Sequence, residues 1–234
     1  MKTLGLIGGT GPESTIEYYQ AIISKFQEKT GDPENLPEFL MNSINMYKIF
    51  ELLENGRTDE LADYLAAAVH RLEKAGADFA VLAANTPHIV FDQVQEKVGI
   101  PLISIVEETA EKTRQLNLKK VGLLGTKFTM ENDFFSRPFA DSQIELQMPN
   151  EEEQHYIHEK IVKELEKGIV KQDTKEQFLE IIAKMEERGG IEGVILGCTE
   201  LPMLIKPADT RMQQLNTTDI HVDAIVEAML ENNK

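Results

Sequence analysis

The sequence predicts an α/β protein of two similar lobes. Each is a parallel-type sheet flanked by helices, and the two are related by a pseudo-twofold axis with a ligand cleft between them. Three observations predict this. Short β-branched and aliphatic runs alternate with longer amphipathic stretches, the order that builds parallel sheets covered by helices. The second half also repeats the first: Leu4-Gly5-Leu6-Ile7-Gly8 returns as Val121-Gly122-Leu123-Leu124-Gly125, and Val81-Leu82-Ala83-Ala84-Asn85-Thr86 returns as Ile195-Leu196-Gly197-Cys198-Thr199-Glu200, at offsets of 117 and 114 residues. All four segments are strand ends running into turns, and open α/β sheets bind ligands beyond the carboxyl ends of their strands.

Taken in order, Leu4–Ile7 reads as a strand, Gly8–Pro12 as a turn and Glu13–Gln27 as a helix; Phe39–Ile44 is a second strand. Asp59–Ala75 carries Leu61, Leu65, Val69 and Leu72 at helical spacing, with Gly76 where a helix stop belongs. Phe79–Ala83 and Leu102–Ile105 are strands, with a helix over Pro87–Val98 between them. The alternation restarts with strand Val121–Leu124, helices around Glu151–Lys167 and Lys175–Glu187, and strand Val194–Leu196, and it closes with a helix from about Asp219 to Leu230. The expected domains are 1–100 with 208–234 for the first lobe and 101–207 for the second.

At 234 residues, 41% apolar and 27% charged, the chain can bury a substantial core. A net charge of −16 repels nucleic acid and anionic membrane, so neither is expected as a partner. An anionic ligand must then be held by local dipoles against the global field. The single cysteine, Cys198, excludes an intrachain disulfide and multi-cysteine metal sites. No apolar run approaches the ~20 residues that span a bilayer, and the amino-terminal stretch lacks the pattern of a signal peptide, so a cytoplasmic location is expected.

Chemistry concentrates in the turns. Gly8-Gly9-Thr10-Gly11-Pro12 joins a strand to a helix, where uncovered N–H groups and the helix dipole bind anions. It is neither a Walker loop nor a three-glycine dinucleotide motif, and a tight bend alone would explain it as well. Thr126 and Thr129 in the matching second-half turn suit helix capping or a carboxylate. Asn85-Thr86 and Thr199-Glu200 offer side chains for small polar groups. Cys198 stands after a strand and Gly197. A lone cysteine is ordinarily a small buried hydrophobe, whereas one at a strand-to-helix turn is placed to have its thiol pKa lowered from ~8.5, making thiolate available near neutral pH. Among the histidines, only His155 and His158 have metal-ligand spacing, and they lack a third ligand, so no metal site is expected.

Leu6-Ile7-Gly8-Gly9-Thr10-Gly11-Pro12-Glu13, Asn85-Thr86-Pro87-His88 and Gly197-Cys198-Thr199-Glu200-Leu201-Pro202 together resemble the motifs of the aspartate/glutamate racemase superfamily, in its aspartate racemase-like branch. Glutamate racemases are more distant, having a histidine where Glu200 stands and an acidic residue in the first turn. The resemblance covers nearly the whole chain. It implies two lobes with the carboxy-terminal helix returning to the first, no cofactor, an amino-acid or dicarboxylate substrate, and a homodimer.

In that family two cysteines face each other across the cleft, one thiolate removing the α-proton while the other thiol delivers one from the opposite face. Cys198 matches the second-lobe cysteine. The first-lobe cysteine position is held here by Ala84, which has no exchangeable proton. Three explanations stand side by side: a natural variant whose first-face acid or base is Thr86, His88 or a water; an introduced alanine that blocks turnover; or one-face chemistry, as in arylmalonate decarboxylase-like relatives. Catalytically degenerate carboxylate binding is a further alternative. The resemblance gives Cys198 the acid/base role and Thr10, Asn85, Thr86, Thr126 and Thr199 the binding of carboxylates. Glu200 either holds the substrate ammonium or anchors its turn, and Lys48 and Lys163 are the candidates for a distal carboxylate.

Overall fold

The computed structural model describes residues 1–231. The chain divides into two compact units, residues 1–108 with 218–234 and residues 109–217. The first runs β1 (Leu4–Gly8), α1 (Pro12–Thr30), β2 (Phe39–Ser43), α2 (Met46–Glu54), α3 (Thr58–Lys74), β3 (Phe79–Leu82), a 3₁₀ turn (Thr86–Val90), α4 (Phe91–Lys97), β4 (Leu102–Ile103) and the start of α5 (Ile105–Gln115). The second runs β5 (Lys120–Leu124), α6 (Lys127–Glu131), α7 (Ser136–Asp141), β6 (Glu145–Gln147), α8 (Glu151–Lys163), a 3₁₀ turn (Leu165–Lys167), α9 (Gln172–Gly189), β7 (Gly193–Leu196), α10 (Leu201–Leu204) and β8 (Gln213–Asn216). α11 (Thr217–Leu230) then rejoins the first unit.

Both sheets are parallel and share one topology, β2-β1-β3-β4 and β6-β5-β7-β8. Their registers carry the repeat to single residues: Ile7 pairs with Leu82 as Leu124 pairs with Leu196. The Ala83 N–H then donates to Ile7 O at 3.0 Å, and the Gly197 N–H to Leu124 O at 2.8 Å.

The apolar runs of the first sheet are continuous because both faces are covered. Successive side chains alternate. Ile7, Ala80 and Leu82 join Leu61, Leu65, Val69 and Leu72 of α3 in one core. Leu4, Leu6, Phe79, Val81 and Ala83 join Tyr18, Ile22 and Phe26 of α1 and Ile225 and Val226 of α11 in the other. In the second unit, Leu124, Val194 and Leu196 pack with Ile157, Ile161, Phe178, Ile182 and Met185 of α8 and α9.

The structure corrects several sequence expectations. The strand over Leu102–Ile105 stops at Ile103, because the Ser104 hydroxyl accepts the N–H of Glu107 at 3.3 Å and opens α5 at Ile105. The helix over Pro87–Val98 is a 3₁₀ turn followed by α4. Residues 208–217, placed in the first lobe by sequence, belong with the second unit, since β8 pairs with β7. Residues 101–108 belong with the first, since β4 pairs with β3. Strands β6 and β8 and helices α2, α5 and α7 are additions that the sequence pattern does not announce. No helix among the described residues is long and apolar enough to cross a membrane.

Candidate active site

In the first unit the turns after β1 and β3 lie side by side, because these strands pair in register to Ile7 and Leu82. Gly9 has φ +82°, and a Cβ there would meet Ile44 O at 2.2 Å, so the bend requires glycine. The Gly9 N–H donates to Thr15 Oγ1 at 2.8 Å, and that hydroxyl donates to Gly11 O at 2.9 Å. The Thr10 hydroxyl is buried and has no hydrogen-bond partner among the described residues. Such a group is costly unless a ligand or water satisfies it.

Ala84 is half-buried, two residues beyond the last paired residue of β3. Asn85 is buried, and Thr86 is half-buried at the start of the 3₁₀ turn. The carbonyls here turn inward: Ser14 Oγ donates to Ala83 O at 3.0 Å, His88 Nδ1 lies 2.9 Å from Ala84 O, and the His88 N–H donates to Asn85 O at 3.0 Å.

His88 is thereby removed as a first-face acid or base. Its Nε2 accepts the N–H of Ile105 at 3.2 Å and its Nδ1 is committed to Ala84 O. Burial lowers its pKa to about 4. The ring is neutral, buried, and engaged at both nitrogens. Of the two side chains weighed for that role, Thr86 remains, half-buried.

In the second unit Cys198 occupies the place in its strand–turn segment that Ala84 occupies in the first, two residues beyond Leu196. It is half-buried, and its Sγ donates to Glu200 Oε2 at 2.8 Å. The expectation of a lowered thiol pKa is overturned. Burial of the sulfur, then the charge and hydrogen bond of Glu200, with Glu166 adding to them, push the thiol up, against a smaller opposing pull from the Glu200 N–H. The helix that follows, α10, is four residues long, too little dipole to outweigh two carboxylates. At rest Cys198 is a thiol.

Glu166, which the sequence reading did not single out, sits on the 3₁₀ turn after α8 with its own pKa raised by burial and by Glu200. That turn is anchored by the buried Glu164, whose carboxylate is held by Lys160, Lys171 and Thr174 at 2.7, 3.0 and 2.7 Å. Thr126 caps α6: its Oγ1 accepts the Thr129 N–H at 3.4 Å and lies 3.2 Å from Thr129 Oγ1. Thr199 is half-buried between Cys198 and Glu200.

The remaining candidates are placed as follows. Lys48, on α2 just past the carboxyl end of β2, lies over the Tyr64 ring, 4.4 Å from its centroid. Lys163 is exposed and pairs with Glu159 at 3.3 Å. His158 Nδ1 accepts the Lys127 N–H at 3.3 Å. Among the described residues no group of three or more His, Cys, Asp or Glu side chains is placed to hold a metal ion. Sequence reading missed Ser14 and Glu166; of these, only Ser14, a small hydroxyl beside a glycine turn, carried a local signal.

Residues 7–225 match the family model described as Asp/Glu/Hydantoin racemase. A candidate Asp/Glu racemase from Yersinia pestis superposes with a TM-score of 0.93 at 33% identity, covering 99% of this chain and 100% of its own. An aspartate racemase homologue from Pyrococcus horikoshii OT3 superposes with a TM-score of 0.87 at 39% identity over 99% and 100% of the two chains. The broad specificity amino-acid racemase RacX of Bacillus subtilis (strain 168) is 27% identical over 134 residues, 57% of this chain and 59% of RacX. That match spans about three fifths of the relative's length.

Proposed function

This chain belongs to the Asp/Glu/Hydantoin racemase family, and from that premise we propose that it transfers a proton at the α-carbon of an aspartate- or glutamate-like amino acid, without a cofactor, using Cys198 as the acid/base. The observation that carries the reading is the Cys198 thiol bonded to the Glu200 carboxylate at 2.8 Å, at the carboxyl end of a parallel strand.

In this reading Glu200 takes the thiol proton as substrate enters, and the thiolate so formed removes the α-proton. The C–H bond breaks, an S–H bond forms, and the electron pair passes into the substrate carboxylate as an enediolate. In the reverse direction the thiol protonates that enediolate. Thr10, Asn85 and Thr86 in the first unit, and Thr126 and Thr199 in the second, are the groups each unit offers to a carboxylate, with neighbouring backbone N–H groups stabilising charge as it develops. Lys48 serves a distal carboxylate.

Ala84 favours a second reading, one-face chemistry. With a methyl group where the family has a cysteine, the Thr86 hydroxyl is the candidate proton source at that turn, a far weaker acid than a thiol. Exchange from the Cys198 face then outruns inversion, or the chain acts as a one-face decarboxylase or isomerase.

The test is incubation with L- and D-aspartate and glutamate in D₂O, following α-deuteration by NMR and enantiomer composition by chiral chromatography. Exchange that Cys198→Ala abolishes is expected. Deuteration of one enantiomer without matching inversion selects the one-face reading. The absence of exchange on all four amino acids in wild-type protein would overturn the racemase assignment.

A further inference from the structure

The first sheet ends in β2, and the pairing of β2 with β1 fixes which way its backbone points. The Ile44 N–H donates to Gly8 O at 2.9 Å, and the register sets Leu40 beside Gly5 and Asn42 beside Ile7. Backbone direction alternates along a strand, so Leu40 and Asn42 turn their N–H and C=O groups to β1. Phe39, Met41 and Ser43 turn theirs to the open edge of the sheet. Groups so placed need water or a further strand, and edges are ordinarily blunted by charge, proline or brevity. The other three edges are shorter, with two residues in β4, three in β6 and four in β8, and β6 carries Glu145, ion-paired with Lys120 at 2.6 Å. β2 has five residues, Phe39-Leu40-Met41-Asn42-Ser43, with neither charge nor proline.

Apolar side chains continue from this edge onto the helix layer. Phe39 packs on the core shared by α1 and α11, so Met41, two residues on, lies on the same face of the strand. The Tyr19 ring lies 5.6 Å from that of Phe39, and Ile16 stands one helical turn before Tyr19. Met41, Tyr19 and Ile16 are 42%, 48% and 52% exposed. Leu36, in the segment leading into β2, is exposed as well, as are Tyr47 and Phe50 on α2 just after it. These six side chains leave on the order of 700 Å² uncovered, close to the ~800 Å² that each partner gives to a stable interface.

Charge and symmetry select the occupant. None of the six side chains is charged, in a chain of net charge −16, so two copies that repel elsewhere approach at least cost along this face. An open strand is also complementary to itself. Run antiparallel about a twofold axis at Met41, the N–H and C=O of Met41 meet the C=O and N–H of the same residue in a second copy, and Phe39 stands opposite Ser43. The Ile16–Tyr19 stripes of both copies then lie on one side of the joined sheet.

We propose that β2 is a dimer seam: it pairs antiparallel with β2 of a second copy of this chain about a twofold axis at Met41, joining the two first-unit sheets into one.

The test uses the full-length protein. Sedimentation equilibrium across the micromolar range is expected to give a dimer. Met41→Lys, which sets two ammonium groups opposite each other, should weaken it by roughly 10²-fold or more. Ile16→Glu, on the outer face of a helix, should weaken it without touching the strand. Leu116→Lys, at an exposed apolar residue of the second unit, should leave it intact. In a Cys198→Ser background that removes the native thiol, Met41→Cys should be joined to its counterpart by a short bismaleimide, since facing residues of such a pair have Cα atoms about 5.5 Å apart. The Met41 amide should exchange with D₂O slowly in the wild type and quickly in Ile16→Glu. A monomeric wild type would overturn the proposal and leave the edge to a different partner. So would a dimer that folded Met41→Lys and Ile16→Glu both retain, or one whose position 41 does not cross-link. If Met41→Lys does not fold, Ile16→Glu and the cross-link still decide it.

Discussion

The Cys198 thiol donates to the Glu200 carboxylate across 2.8 Å, and that contact adds to the burial of the sulfur in favouring the protonated form. In the proposed reaction the carboxylate receives the proton that the sulfur must lose before acting as a base. Glu200→Gln keeps a hydrogen-bond acceptor and removes the charge. Because the charge raises the thiol pKa, its removal should move the pH midpoint of iodoacetamide alkylation downward. α-Proton exchange should fall by about 10²–10⁴-fold, the usual loss when a general base is removed. A midpoint that rises or stays fixed would show that Glu200 does not govern the thiol.

Ala84 is the other half of the repeat. The Ala83 N–H bonds Ile7 O and the Gly197 N–H bonds Leu124 O, so the two turns leave their sheets in the same way and place Ala84 and Cys198 at corresponding positions. Ala84→Cys therefore puts a thiol where the family has one. If the lack of a thiol at this position limits inversion, the variant should racemise faster by about 10²-fold or more while wild-type exchange at the Cys198 face persists. Chiral chromatography of L-aspartate and L-glutamate incubations reads this directly. An unchanged inversion rate in a folded variant would mean that position 84 does not supply the missing proton.

The parallel α/β class was legible because apolar strand runs ending at turns alternate with amphipathic stretches, and the doubling was legible because Gly5 and Gly122 stand in matching strands; the order of the strands was not. Strands β6 and β8 were not, since Glu145–Gln147 and Gln213–Asn216 are polar edge strands with no alternation to read. That polarity is also why 208–217 was assigned to the wrong side of the boundary. Within the site, the turns and Cys198 stood out by residue type. The raised thiol pKa did not, because its largest cause, burial of the sulfur, exists only in the fold, and Glu166, which adds to it, lies 32 residues away in sequence. The engagement of His88 at both ring nitrogens was equally hidden, its partners Ala84 O and the Ile105 N–H being backbone atoms that no motif records.

The buried histidines give the first unit an acid sensitivity of definite sign. Burial lowers the pKa of His88 from 6.5 to about 4; burial, with the nearby His88, lowers that of His221 from 6.5 to about 3. Between these values and 6.5 the unfolded chain binds more protons than the folded one, so stability is complete above pH 6.5 and falls as pH drops toward 4 and 3. For His88 alone the loss is on the order of 3 kcal/mol. The hydrogen bonds and ring contacts of the two imidazoles run to Tyr18, Phe91, each other and backbone atoms, a setting that offers an imidazolium little compensation. Urea unfolding at pH 8 and pH 5 should show part of this loss, about 2 kcal/mol for His88, and His221→Gln, which keeps a donor near Ile103 O but cannot titrate, should show a smaller difference between the two pH values. Equal losses in variant and wild type would refute the assignment of the acid loss to His221.

Two glycines with similar backbone angles separate the cost of conformation from the cost of contact. Gly31 ends α1 at φ +68°, and a Cβ added there would find nothing within 4 Å, so Gly31→Ala carries only the left-handed backbone penalty, about 1 kcal/mol. Gly9 sits at φ +82°, where an added Cβ would lie 2.2 Å from Ile44 O, 2.6 Å from Ser43 Oγ and 2.7 Å from Ile44 N. Backbone atoms cannot swing aside as a flexible side chain would, and Ile44 is itself tied to the turn, its N–H donating to Gly8 O at 2.9 Å. Gly9→Ala should therefore add about 1–3 kcal/mol of overpacking to the same backbone penalty. It should also displace Thr10, whose buried hydroxyl has no partner among the described residues and is a proposed carboxylate ligand, and so weaken binding of malonate, a small dicarboxylate, which Gly31→Ala leaves unchanged. Thermal denaturation and malonate titration of the two variants check both halves. Equal destabilisation would show that the β1–α1 turn relaxes away from Ile44, and that its glycine is a matter of bend geometry alone.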